Sequence, residues 1–210
     1  MATATTERQQ TTLRPATGNG TNGHAPRLPL TYDELLDALM REEGKAEIIH
    51  GRIKRFMPTG VQPNKVAGII FFSLMLWQRT TSATGSPHTD GLGCLCHLPH
   101  RQSFSPDVCY YDVALSGMKF APTTPVFAVE VRSENDYGDA METELEAKRA
   151  DYFACETEVV WDVDLQSTDA VIHKYSKSGG AATPVATFKR GDIADAEPAA
   201  PGFTMLVDDL

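Results

Sequence analysis

The sequence predicts an α/β fold, a mixed β-sheet flanked by helices. Two observations carry the prediction. A strongly apolar helical segment over residues 63–79 and a striped one over 139–154 stand among short runs, 125–131, 158–164 and 170–175, whose apolar residues alternate. Helices interleaved with strands in this way cover the faces of a sheet. There is no internal repeat.

Taken in order, the elements justify themselves locally. Order is expected from Leu28-Pro29-Leu30. Thr31 with Glu34 three residues on makes a capping box, and Leu35, Leu36, Leu39 and Met40 continue a helix. Residues 46–53 give two short strand-like runs turning at His50-Gly51. From 67 to 77 the chain is apolar apart from Gly68 and Ser73. That is far short of the roughly 20 residues of a membrane helix, so a buried helix of a soluble protein is expected. Strands are predicted over 91–98, 105–113 and 125–131. In the last, Phe127, Val129 and Val131 alternate with Ala128, Glu130 and Arg132, so Glu130 and Arg132 share a face. A polar loop over 133–138 leads into the 139–154 helix. Residues 158–164 and 170–175 then form a hairpin across Gln166-Ser167-Thr168, and short strand signals close the chain near Pro201-Gly202-Phe203.

The chain has 210 residues, 41% of them hydrophobic and 22% charged, which is enough for one domain with a real core over 28–210. Residues 1–27 are rich in Thr, Gly, Asn and Gln and carry almost no large apolar side chains. They cannot offset the entropy of ordering, and a mobile tail is expected. A basic region followed by an apolar run is missing there, so no secretory signal is read. The net charge of −9 argues against a protein that wraps nucleic acid by charge alone. It does not argue against an acidic site whose bound cation restores a positive field. The basic residues Lys45, Arg52, Lys54, Arg55 and Lys65 read as a solvated face. Cys94 and Cys96 are spaced too closely for a zinc knuckle, despite His97 and His100, and read as small packing residues on one strand face. Cys109 and Cys155 stand alone in apolar surroundings. With no disulfide framework, a reducing cytoplasmic setting is expected.

Three residues break the apolar patterns. On the 139–154 helix, Met141, Leu145, Lys148 and Tyr152 form one stripe, widened by Phe153, with Glu142, Glu146 and Arg149 on the wetter side. Lys148 therefore points at the sheet. An ammonium there is either paired or snorkels its head to water along an apolar stem. Asp107 follows Pro106, a residue suited to a strand start, and Glu130 interrupts an apolar strand between two valines. Such acids either face solvent at strand ends or share a partner. Two strand carboxylates can hold one hard cation with water and phosphate. Added to an inward amine, they make the parts of a metal-dependent phosphodiesterase site.

Several segments together resemble the Uma2 family, restriction-endonuclease-like proteins of the PD-(D/E)XK nuclease superfamily. These are Ala46-Glu47-Ile48-Ile49-His50-Gly51, Ser105-Pro106-Asp107-Val108, Val129-Glu130-Val131-Arg132-Ser133, Lys148 with Tyr152, 158–164 with its Trp161-Asp162, and the closing Pro201-Gly202-Phe203. The resemblance runs from about Leu30 to Leu210. It implies a restriction-endonuclease-like core, a divalent metal (Mg²⁺ or Mn²⁺), a DNA substrate and a homodimer. It makes Asp107 and Glu130 the metal ligands, Glu47 an accessory acid and Lys148 the catalytic lysine. Arg132 stands where the simplest superfamily motif has its lysine. An arginine stays protonated and cannot be a base, so Arg132 is expected to hold a phosphate or pair with Glu130. The chain departs from the family pattern at Ser133-Glu134, where a serine-proline is usual, and at Asn64, where a histidine often starts the second helix.

The expectation is thus a metal-dependent endonuclease that hydrolyses DNA phosphodiester bonds. The alternative, motivated by the acidic charge and the displaced lysine, is a catalytically inactive binding or assembly protein on the same fold. Other hydrolase classes lack support, since no Gly-x-Ser-x-Gly, Gly-x₄-Gly-Lys-Ser/Thr or His-Glu-x₂-His occurs.

Overall fold

A computed structural model describes residues 31–166 and 170–210. The expected tail over 1–27, the onset of order at Leu28 and the turn residues Ser167 and Thr168 lie outside the described residues. The chain opens with α1 (Tyr32–Leu39), β1 (Ala46–Ile49), β2 (Arg52–Arg55) and α2 (Val61–Thr81). There follow β3 (Ser86–Thr89), β4 (Cys94–Leu95), β5 (Ser103–Phe104), β6 (Val108–Tyr111) and β7 (Phe127–Val131). After α3 (Asp139–Ala154) come β8 (Val159–Asp164), β9 (Val171–Ser176), β10 (Ala186–Phe188), β11 (Ile193–Asp195) and β12 (Thr204–Leu206).

Six strands form the central sheet in the order β10-β9-β8-β7-β6-β3. β7 and β8 run parallel and are joined by α3, while the other pairs are antiparallel. Only a crossover can join parallel neighbours, and α3 is that crossover. The period of two then sorts the side chains. Phe127, Val129, Val131, Trp161 and Val163 pack with Ile70 and Leu74 of α2 and with Phe203. Ala128 and Val160 pack on the other face with Tyr152 and Phe153 of α3 and with Phe104. The polar members of that second face, Glu130 and Asp162, sit side by side in the β7–β8 register.

Thr31 caps α1 as its sequence predicts: Glu34 N–H donates to the Thr31 hydroxyl, and Thr31 N–H donates to the Glu34 carboxylate. This orients Leu35 and Leu39 onto Ile48 of β1. The His50-Gly51 turn has positive φ at both residues, 51° and 67°. That is the conformation a two-residue hairpin turn needs, and it closes β1 on β2.

Two strand expectations change. The run over 91–98 contributes only the two residues of β4, paired with β5. The edge strand beside β6 is β3, which carries Pro87 and is absent from the strands expected above. Proline is tolerated there because β3 has a single partner at the sheet edge. Cys94, Cys96 and Cys109 are buried free thiols, and Cys155 is partly buried and also free. Among the described residues no helix is long and apolar enough to cross a membrane.

Candidate active site

Asp107 lies one residue before β6. The register Val108↔Val129, carried one step, puts it opposite Glu130 of β7. The sheet therefore sets the two acids side by side. Asp107 is locked at both ends: its N–H donates to Val129 O at 3.1 Å, and its Oδ2 accepts from Val131 N–H at 2.7 Å. Its Oδ1 accepts from the ammonium of Lys45 at 2.5 Å.

Glu130 meets α3. Its Oε1 accepts from Tyr152 Oη–H at 2.7 Å and from Lys148 Nζ at 2.8 Å. The Tyr152 ring is stacked on Phe104 at 4.1 Å, which fixes where its hydroxyl points. Burial raises the Glu130 carboxyl above the usual carboxylate range. Lys148 opposes that rise and neighbouring Asp107 adds to it. Burial of Lys148 works against its charge, yet the carboxylates of Glu130 and Glu47 outweigh it, and its pKa ends above the ordinary lysine value. Lys148 is therefore an ammonium at neutral pH. Replacing Tyr152 with phenylalanine keeps the stacked ring and removes one donor to a charged acceptor. An expected loss of about 1–2 kcal/mol in urea-measured stability checks this bond.

Glu47 on β1 is almost fully buried, 1% exposed. Its Oε1 lies 3.4 Å from Lys148 Nζ and accepts from Ser105 N–H at 3.1 Å, and its Oε2 pairs with Arg101 at 2.6 Å. Arg101 in turn pairs with Asp151 of α3 at 2.7 Å, and Asp151 meets His100 at the surface. A buried acid survives only when its lone pairs find charged or N–H donors, and Glu47 has three.

Arg132 lines the same cleft but pairs with other carboxylates than the expected Glu130. Its Nε and Nη2 form a bidentate pair with Asp162 at 2.6 and 2.7 Å, and its remaining nitrogen reaches Glu142. Pairing with Glu130 is replaced by pairing with Asp162, because Asp162 sits beside Glu130 on the next strand. Arg149, expected on the wet side of α3, is buried and joins the same carboxylate at 2.9 Å, with its guanidinium over the Tyr175 ring.

The acids open into a cleft of about 570 Å³. Its floor holds Lys45, Glu47, Asp107, Glu130 and Lys148. Its walls come from the β2–α2 segment around Phe56 and Thr59, the loop over 133–136, and Met141 and Leu145 of α3. The structure thus brings together Asp107, Glu130, Glu47 and Lys148, while the Arg132 guanidinium is held by Asp162 and Glu142.

Sequence reasoning missed Lys45 and Arg101. Lys45 and Glu47 are two residues apart at the start of β1, so an inward Glu47 implies an inward Lys45, and that signal was available. Arg101 lies between β4 and β5 with no local pattern to mark it. Of the basic cluster, Arg52, Lys54, Arg55 and Lys65 are exposed as expected.

The family model described as "Putative restriction endonuclease", Uma2, matches residues 31–208. The chain belongs to the Uma2 family. A solved structure, a putative nuclease belonging to DUF820 from Anabaena variabilis ATCC 29413, superposes with a TM-score of 0.59 at 14% identity, covering 83% of this chain and 95% of that one. At that identity the likeness establishes the fold, a restriction-endonuclease-like mixed sheet flanked by helices. No curated protein matches. The cleft of this Uma2 chain lies at the ends of β1 and β7 and the entry to β6, and α3 leans its lysine over the acids.

Proposed function

We propose that the protein is a metal-dependent endonuclease that hydrolyses DNA phosphodiester bonds. The convergence of Asp107, Glu130, Glu47 and Lys148 in one cleft is the observation that supports this most. The donor set fits a hard divalent cation. Mg²⁺ takes one or two carboxylates and keeps water and phosphate oxygens for the rest of its shell. Among the described residues no three His, Cys, Asp or Glu side chains gather into a ready-made cage. Asp107 and Glu130 are the pair that would hold Mg²⁺ or Mn²⁺. When bound, such a cation polarises the phosphate and lowers the pKa of water.

The chain's own groups do the rest. Lys148, protonated at neutral pH, is a donor and not a base. Its Nζ would donate hydrogen bonds that orient the attacking water and that meet the phosphate oxygens, where negative charge grows in the transition state. Glu47 and Glu130 aim that ammonium, and Arg101 keeps Glu47 in place. Arg132 and Arg149 hold Asp162 behind the acids and set the seat of α3.

One observation favours an inactive scaffold as a second reading: both oxygens of Asp107 are already engaged, by Lys45 and by Val131 N–H. The discriminating experiment is Mn²⁺ calorimetry together with plasmid cleavage. The nuclease reading expects Mn²⁺ binding that falls roughly tenfold or more in Asp107→Asn and Glu130→Gln, with loss of cleavage. A folded wild type that shows no carboxylate-dependent Mn²⁺ binding and no cleavage would favour the scaffold.

A further inference from the structure

We propose that Lys45 is a resident counter-ion of the acid pair, which a divalent cation must displace from Asp107 and which Asp90 then receives. This deepens the metal-dependent reading above and rests on it.

The two oxygens of Asp107 are held unequally. Oδ2 is fixed by the backbone of β7 through a buried 2.7 Å bond from Val131 N–H. Releasing it would leave a buried N–H without a partner. Oδ1 is held at 2.5 Å by an ammonium on a flexible four-carbon stem. An incoming cation therefore competes for Oδ1, and Lys45 is its competitor.

Lys45 has somewhere to go. The same Nζ lies 3.0 Å from Asp90, just past the end of β3. The Asp90 side chain is 34% exposed against 11% for Asp107, so the ammonium already bridges an inner acid and an outer one. Moving toward Asp90 keeps it paired and brings it nearer water, while a cation takes its inner position. Without Asp90, a displaced ammonium would be left beside a divalent cation with no opposite charge of its own. Lys45 thus has two effects. It neutralises an acid that the cleft would otherwise hold unpaired, and it raises the metal concentration needed to charge the site.

The test is calorimetric titration of the full chain with MnCl₂, which needs no turnover. Lys45→Met keeps the stem and removes the charge, and Mn²⁺ affinity is expected to rise roughly tenfold, the weight of one charged hydrogen bond. Asp90→Asn is expected to lower affinity about threefold in the wild-type background and to change nothing in the Lys45→Met background, where no ammonium needs a new partner. Circular dichroism verifies the fold of each, and Lys45→Gln replaces Lys45→Met if the latter does not fold. Affinity that is equal or weaker without the ammonium overturns the proposal and leaves the metal-dependent reading standing. So does an Asp90→Asn effect of the same size in both backgrounds. If neither the wild type nor the Lys45 variant binds Mn²⁺ while both are folded, the proposal and the reading beneath it fail together.

Discussion

Replacing Lys148 with methionine is expected to lower the rate of Mg²⁺-supported plasmid cleavage by two to three orders of magnitude, with Mn²⁺ affinity retained or raised. The size follows from what a fixed cationic donor does in a water-poor cleft, where removing one such group costs about 10²–10³ in rate. The split between rate and metal binding follows from the geometry. Lys148 touches Glu130 and Glu47 at 2.8 and 3.4 Å, so its loss removes a cation from the acids and takes no ligand away. Methionine preserves most of the aliphatic stem, which isolates the charge from the packing. Lys148→Arg retains the charge but carries it on a longer, planar head, and partial recovery is expected. Single-turnover cleavage at saturating metal measures the effect. A Lys148→Met rate within a factor of about three of wild type would remove this lysine from the chemistry.

The second large effect is structural. Asp162→Ala is expected to destabilise the fold by about 3–5 kcal/mol in urea denaturation, a large share of a typical 5–15 kcal/mol. Asp162 is 1% exposed and receives two buried guanidiniums, from Arg132 and Arg149. Among the described residues, removing it leaves Arg149 with the Ala181 carbonyl and the Tyr175 ring, and Arg132 with Glu142 and the Tyr137 ring. The three residues are coupled, so the single deletion is the worst case. Asp162→Leu combined with Arg132→Met and Arg149→Met is expected to be close to neutral for stability, since apolar replacement of a whole buried ion group restores packing. A single variant as stable as wild type, or a triple variant as damaged as the single one, would contradict this account of what seats α3.

Much of the site is legible in the sequence because strand and helix periods are rigid. Glu130 is marked by the valines on either side of it, and Lys148 by its place in the Met141–Leu145–Tyr152 stripe. The same logic applied to Trp161-Asp162-Val163 gives an inward Asp162, whose partners must be cationic. Arg149 escaped because a charged residue beside the stripe looks solvated until its partner on β8 is known. Asp151 escaped for the same reason, since its partner Arg101 lies 50 positions earlier in the chain. These pairings are long-range, and a single sequence holds no local trace of them. β3 was hidden by a different effect: Pro87 lowers strand propensity, and only the sheet order shows that an edge position permits it.

The ladder between β6 and β7 has an engineering consequence. Asp107 and Glu130 owe their separation to neighbouring backbones spaced about 5 Å apart by hydrogen bonding, and no loop length enters that distance. The segments that decide what shapes enter from outside, 56–60 and 133–136, are connections attached at the rim. Insertions or exchanges there change the shape of the entrance while the acids keep their spacing. The shape of the entrance and the spacing of the acids are therefore separable design variables.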